Sequence, residues 1–267
     1  MRSALLAGRD HTEIGAVELI AEGPCAISIS RGGAAKTYSH TEPNEDACLF
    51  ALGPGGALIA VADGHHGAAG AEIAMRQLLE QFGPSWTGEG PASRDTLVGE
   101  AAEALVEVNR AIVAEGERCK LPPSPTTLCF ALVRPQEDLL LHVSVGDSHI
   151  FWTREAAPLD LGWAAQSGER AAFMGHFSAA EHAARHTIAC ESLAGTRSLV
   201  LVTDGFSEDG IGHDSPASEL HTLQTRTLLA KDELRPVETC RAVAESALQI
   251  QRKNQAGDNL ACATWTP

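Results

Sequence analysis

Leu58-Ile59-Ala60-Val61-Ala62 is an unbroken apolar run that stops at Asp63, and Gly64-His65-His66-Gly67 follows at once. A short apolar run bounded by turn residues predicts a fully buried strand. A carboxylate at the end of such a strand has its backbone anchored in a sheet. Gly64 leaves space for a ligand or ion to approach its carbonyl.

The pattern recurs along the chain. Ser198 to Thr203 is an apolar run ending in Asp204-Gly205, and Leu141 to Val145 runs into Gly146-Asp147-Ser148. Gly257-Asp258-Asn259 precedes Leu260 to Trp265, and Asn44-Glu45-Asp46 precedes Ala47 to Phe50. Any one Asp-Gly or Asp-Asn reads as an ordinary turn. Acids at strand ends in five places, brought together, would instead make an oxygen-ligand cage for hard cations such as Mg²⁺ or Mn²⁺.

Asn44-Glu45-Asp46-Ala47, Val61-Ala62-Asp63-Gly64-His65-His66-Gly67, Gly146-Asp147-Ser148-His149, Val202-Thr203-Asp204-Gly205-Phe206 and Gly257-Asp258-Asn259 stand in that order from residue 44 to residue 259. In this ordered set the chain resembles the metal-dependent serine/threonine protein phosphatases of the PP2C (PPM) family, as a divergent bacterial-type member. The resemblance implies an α+β fold of two antiparallel sheets packed as a sandwich and flanked by helices. It also implies hydrolysis of phosphoserine and phosphothreonine on a phosphorylated protein substrate by a water that bridges two Mg²⁺ or Mn²⁺ ions, with a third ion at a weaker site.

By position, the resemblance makes Asp63 the bridging carboxylate and Gly64 a carbonyl ligand. Asp204 and Asp258 become ligands of one ion, and Glu45 and Asp46 hold the other. Asp147 becomes a ligand of the weaker third metal, Glu208 stands where the family commonly has an aspartate, and His65 becomes the proton donor to the leaving alcohol. Histidine suits that task because its pKa lies near neutrality; the rival reading is that His65 and His66 only cap a loop. Four residues before Glu45 the family carries a phosphate-gripping arginine, and here that position is Thr41. Arg31, Lys36 and His40 are the nearest basic residues; Lys36 and His40 are the candidates for phosphate contact.

Two rival functions remain in view. A phosphatase fold that has become a binding or regulatory module would explain Thr41. A serine hydrolase using Ser148 of Gly-Asp-Ser-His would need His and Asp partners that no motif supplies.

A chain of 267 residues with 44% hydrophobic residues can bury a sizeable core. Neither an internal repeat nor a linker is visible, so one domain over residues 1–267 is expected. A net charge of −15 argues against nucleic acid as a partner. The seven cysteines contain no Cys-x-x-Cys pair, so neither zinc nor a disulfide framework is expected. The apolar part of residues 1–8 is short for a secretory signal, and no run is long enough to span a bilayer. A cytoplasmic protein with no membrane partner is expected; nothing in the sequence sets its oligomeric state.

Strands are predicted at 25–30, 47–52, 57–62, 126–133, 139–145, 149–152, 198–203 and after Asp258. Helices are predicted at 70–82, from a Ser93 cap to Glu117, at 218–230 and at 236–251. Residues 1–24 show no clear period, 83–91 read as a loop, and 154–191 read as an alanine-rich helix or a cover over the site. His182 and His186 lie four apart, but no third ligand stands at usable spacing.

Overall fold

Strands with no polar face need cover on both sides, and this chain supplies it with two sheets and two sets of helices. The computed structural model describes residues 1–162, 164, 167, 172–175 and 185–267. In chain order come β1 (Arg2–Ala7), β2 (Glu18–Glu22), β3 (Cys25–Ser30), β4 (Ala47–Leu52), β5 (Ala57–Ala62), α1 (Ala69–Gln77), α2 (Gly83–Thr87) and α3 (Arg94–Cys119). There follow β6 (Leu128–Arg134), β7 (Leu139–Val145), β8 (His149–Thr153), β9 (Leu159–Asp160), β10 (Thr187–Ser192), β11 (Ser198–Val202), α4 (Pro216–Thr227), α5 (Arg235–Asn254) and β12 (Leu260–Trp265). One sheet has the order β1-β4-β5-β6-β7-β10 and the other β2-β3-β12-β11-β8-β9, each with antiparallel neighbours.

The period-2 alternation of a strand divides each apolar run between two cores. Cys48, Phe50, Ile59 and Val61 face Ile27, Ile29, Leu199, Leu201, Ala261 and Ala263 between the sheets. Leu49, Leu58 and Ala60 face outward onto Met75, Leu78, Leu97, Leu105 and Val108 of the helices on the first sheet. Val200, Val202, Leu260 and Cys262 pack on Leu220, Leu223, Val243 and Ala247 of α4 and α5. The expected α+β sandwich with helices outside is therefore the fold.

Ser93 caps α3 as its sequence predicts, its Oγ accepting from the Thr96 N–H at 3.2 Å. Several elements differ from the sequence expectation. Residues 1–24 contain β1 and β2, both at sheet edges, where one-sided cover leaves little apolar pattern. The expected helix over 70–82 passes through a π turn at Leu78–Phe82 and continues as α2, where Pro84 fits an early helical position. Within 154–191 lie β9 and the half-buried edge strand β10; His182 falls outside the described residues. Among the described residues, no helix is long and apolar enough to cross a membrane.

Removing a large side chain from between the sheets should be costly. Ile59→Ala is expected to lower the unfolding free energy by about 2–5 kcal/mol in urea titration. Leu229→Ala, at a 90% exposed position, is expected to change it by less than about 0.5 kcal/mol. Equal effects would contradict this assignment of the core.

Candidate functional site

Antiparallel pairing sets the end of one strand beside the start of its neighbour, which is how distant acids come together. Ala47 pairs with Ala62, so Asp46 and Asp63 sit next to each other at one end of the first sheet. On the second sheet Val202 pairs with Cys262, and the ladder is extended by the Thr203 N–H donating to the Ala261 carbonyl. Asp204 and Asp258 flank that end. Lys36, Tyr38, Glu45, Asp63, Gly64, His65, His66, Asp204, Glu208 and Asp258 line one pocket of about 290 Å³ together with Ser39. One carboxylate oxygen from each of Asp204, Glu208 and Asp258 lies within 4.8 Å of the others.

Backbone bonds hold these acids in place. The Asp63 N–H donates to Thr127 Oγ1 at 2.9 Å, and the Asp63 carbonyl accepts from Thr126 Oγ1 at 2.8 Å and the Thr127 N–H at 2.9 Å. Ser148 is buried, with its hydroxyl 2.8 Å from Thr127 Oγ1, so it belongs to this brace. Asn259 ties the two sheet ends together. Its Oδ1 accepts from the Glu45 N–H, and its Nδ2 donates to the carbonyls of Arg31 and Pro43. Two glycines are required by close approach. A Cβ on Gly64 would collide with the Glu45 carbonyl, and one on Gly205 with the Asn259 carbonyl.

Charge is crowded here. Burial, and then Asp204, Asp46 and Asp258, raise the Asp63 pKa well above the carboxylate range. Burial and then Asp258 and Asp147 do the same to Asp204. Asp46 and Glu208 are each pushed up to about 7, by burial first and Asp258 second. Oxygens of Asp147, Asp204 and Glu208 are buried without a hydrogen-bond partner. A hard cation answers this arrangement of orphaned carboxylate oxygens and mutual repulsion.

The remaining sequence candidates fall as follows. Asp46 stands behind Asp63 and accepts from Thr203 Oγ1 at 2.8 Å. Glu45 Oε1 accepts the N–H groups of Thr41 and Glu42 at 2.9 and 3.0 Å, fixing its own loop. His65 Nδ1 is 3.8 Å from Asp63 Oδ1, and its ring lies 4.3 Å from that of Phe173. Burial lowers the His65 pKa, against the pull of Asp147 and other acids. The exposed His40 and Thr41 are absent from the pocket lining; Thr41 lines a neighbouring pocket with His66 and Ser124. Arg31 donates to the Thr12 carbonyl. Lys36 Nζ lies 3.2 Å from Asp258 Oδ1, and the same oxygen accepts the Tyr38 hydroxyl. Burial alone would push Lys36 down, but Asp258, Asp46 and Asp63 outweigh it and its pKa is raised.

Tyr38 escapes sequence reasoning, as does a relay beside the site. Asp160 Oδ2 is 2.6 Å from His149 Nδ1, and His149 Nε2 is 2.6 Å from Ser207 Oγ. The relay links β9 through β8 to the turn that carries Asp204 and Glu208. The Gly-Asp-Ser-His segment draws attention to Ser148, whereas its histidine makes this connection. From the 154–191 region, Met174 exchanges backbone bonds with Thr126, which sets Phe173 against His65.

Known proteins give this geometry a family. The family model described as protein phosphatase 2C matches residues 34–239. No curated protein matches significantly. Among solved structures, the chain is similar to the catalytic domain of the serine threonine protein phosphatase PstP in complex with two manganese ions. That match has 20% identity and a TM-score of 0.63 and covers 94% of this chain and 99% of that one. It is similar to serine-threonine phosphatase 2C from Toxoplasma gondii at 15% identity and TM-score 0.66, covering 95% and 99%. It is similar to PppA, a key regulatory component of T6SS in Pseudomonas aeruginosa, at 18% identity and TM-score 0.62, covering 94% and 100%. With the family model matched over most of its length and the same fold throughout, the chain belongs to the protein phosphatase 2C family.

Proposed function

We propose that this protein is a Mg²⁺- or Mn²⁺-dependent phosphatase of phosphoserine and phosphothreonine in proteins, working as one domain in the cytoplasm. The observation that carries the reading is the gathering of Asp63, Asp204, Glu208 and Asp258 on one pocket with His65 at its wall. Two bound cations supply countercharge for the phosphoryl oxygens and acidify water.

The chain's own residues do the rest. Asp63 adjoins Asp46 at the sheet end and is raised in pKa by both Asp204 and Asp46, so it would be the ligand shared by the two ions. Asp204, Glu208 and Asp258 would hold one ion; Asp46, Glu45 and the Gly64 carbonyl would serve the other, and Asp147 would be left for a weaker third. His65 hands a proton to the leaving oxygen, with Nδ1 the nitrogen toward Asp63. Phe173 packs on its ring and limits water there. Without an arginine at position 41, substrate phosphate lacks a bidentate fork, so weak substrate binding is part of the reading. The Asp160–His149–Ser207 relay has the connectivity of a nucleophile system. Ser207 lies between Asp204 and Glu208 in sequence, whose charges oppose an oxyanion there, so its role is to position that turn.

Turnover of p-nitrophenyl phosphate should appear with Mn²⁺ or Mg²⁺ and vanish with EDTA; equal rates in EDTA would sink the reading. His65→Ala should lower kcat by about 10²–10⁴-fold while Mn²⁺ binding persists. Asp63→Ala should abolish Mn²⁺ binding in calorimetry yet leave the metal-free protein at least as stable, because it removes a carboxyl whose burial beside Asp204, Asp46 and Asp258 is costly.

The metal-free protein should also show an inverted pH dependence. Asp46 and Glu208 rise to about 7 in the fold, from about 4 when unfolded. Between those values the folded chain binds more protons than the unfolded one, so stability falls as pH rises. In EDTA, Tm should drop from pH 5 to pH 8, and saturating Mn²⁺ should flatten that slope. A Tm rising across this window in EDTA would contradict the acid crowding.

A further inference from the structure

Lys36 is the one lysine or arginine among the described residues lining the acid pocket. Its side chain is only 4% exposed, and its ammonium lies 3.2 Å from Asp258 Oδ1. Backbone geometry puts it there. Lys36 forms a parallel bridge with Gly257, and the Gly257 N–H donates to the Ala35 carbonyl at 3.1 Å. A Cβ on Gly257 would collide with the Ala34 carbonyl, so the two segments lie flush. Asp258 Oδ1 then receives three donors: Lys36 Nζ, the Tyr38 hydroxyl and the Asn259 N–H, the last at 2.7 Å. A carboxylate oxygen has two lone-pair sites. Three donors leave none for a cation at Oδ1 of Asp258. The Lys36 ammonium also lies 5.1 Å over the Tyr38 ring, which holds it on the cluster side.

We infer that Lys36 is a resident counter-cation of the acid cluster, which holds the metal-free site together and competes with a divalent ion for Asp258. The inference rests on the metal-site reading above and goes beyond it. A lysine that gripped substrate phosphate would need its ammonium free of a carboxylate. Here it is spent on Asp258, with Tyr38 sharing the same oxygen.

The test is Mn²⁺ titration calorimetry, with thermal melts in EDTA and in saturating Mn²⁺, on the parent, Lys36→Met and Lys36→Arg. Methionine keeps the length of the side chain and removes its charge; arginine keeps the charge. Lys36→Met should bind Mn²⁺ at least tenfold more tightly at one site, melt lower in EDTA, and show a wider gap between the two melts. Lys36→Arg should bind Mn²⁺ no more tightly than the parent. If Lys36→Met is unfolded in EDTA but folds on adding Mn²⁺, the inference is supported in its strongest form. If it stays misfolded in Mn²⁺, the residue is a packing element and the inference fails. Binding equal to or weaker than the parent's in a folded Lys36→Met also overturns it, and leaves the metal-site reading intact. No Mn²⁺ binding by either protein would overturn both, whereas binding by Lys36→Met alone would support both.

Discussion

Repulsion among buried carboxylates is the constraint on which this molecule turns. Asp46, Asp63, Asp204 and Asp258 are all buried or nearly so; Asp258 raises the cost of ionising the other three, and Asp46 and Asp204 raise it further for Asp63. Left to themselves, such groups would separate into water or take up protons. They stay because each is an extension of a strand whose two neighbours and two faces are fixed by apolar packing. The cores that hold Phe50, Ile59 and Leu201 in place therefore also hold the charges at the strand ends. Stability comes from the middle of the sandwich and is drawn down at one end of it, as expected where a site is assembled before its ligand arrives.

The frame at that end is polar but largely satisfied. Thr126 and Thr127 grip Asp63 from one side, with Ser148 bonded to Thr127, and Asn259 joins the Glu45 loop to the Asp258 loop from the other. The backbone groups of Asp46 and Asp63 are engaged, whereas carboxylate oxygens of Asp147, Asp204 and Glu208 are not. That division lets the main chain stay fixed while the oxygens remain available. The Asp160–His149–Ser207 relay extends the same logic outward to the turn bearing Glu208.

Much of this is legible in the sequence for one reason. A strand covered on both faces reads as a continuous apolar run, and an acid that ends such a run cannot be an accident of surface composition five times over. Asp46, Asp63, Asp204 and Asp258 announce themselves in that way, and Ser93 announces the start of α3. Edge strands carry no such signal: β1, β2 and β10 each lack a neighbour on one side, so Arg2–Ala7, Glu18–Glu22 and Thr187–Ser192 show little pattern. Contacts between loops are invisible for a different reason. Lys36 meets Asp258 across more than two hundred residues, through a bridge to Gly257 that no periodicity encodes. Likewise His149 reads as the first residue of a strand, and only its distance to Asp160 and Ser207 gives it a role.

The placement of positive charge separates this chain from the pattern it otherwise follows. An arginine at position 41 would bring a cation to the mouth of the site, exposed and free to fork onto a phosphate. Instead Thr41 lines an adjacent pocket, and the lysine or arginine lining the acid pocket among the described residues is Lys36, buried against a ligand candidate. Positive charge thus stands inside the site, against Asp258, rather than at position 41. On the reading proposed above both differences would weaken a binding event: phosphate would lose a partner, and a divalent ion would gain a competitor. In a protein of net charge −15, a cation buried in the acid pocket offsets part of the repulsion there, drawing the Asp46 and Glu208 carboxyls down against the push of burial and Asp258.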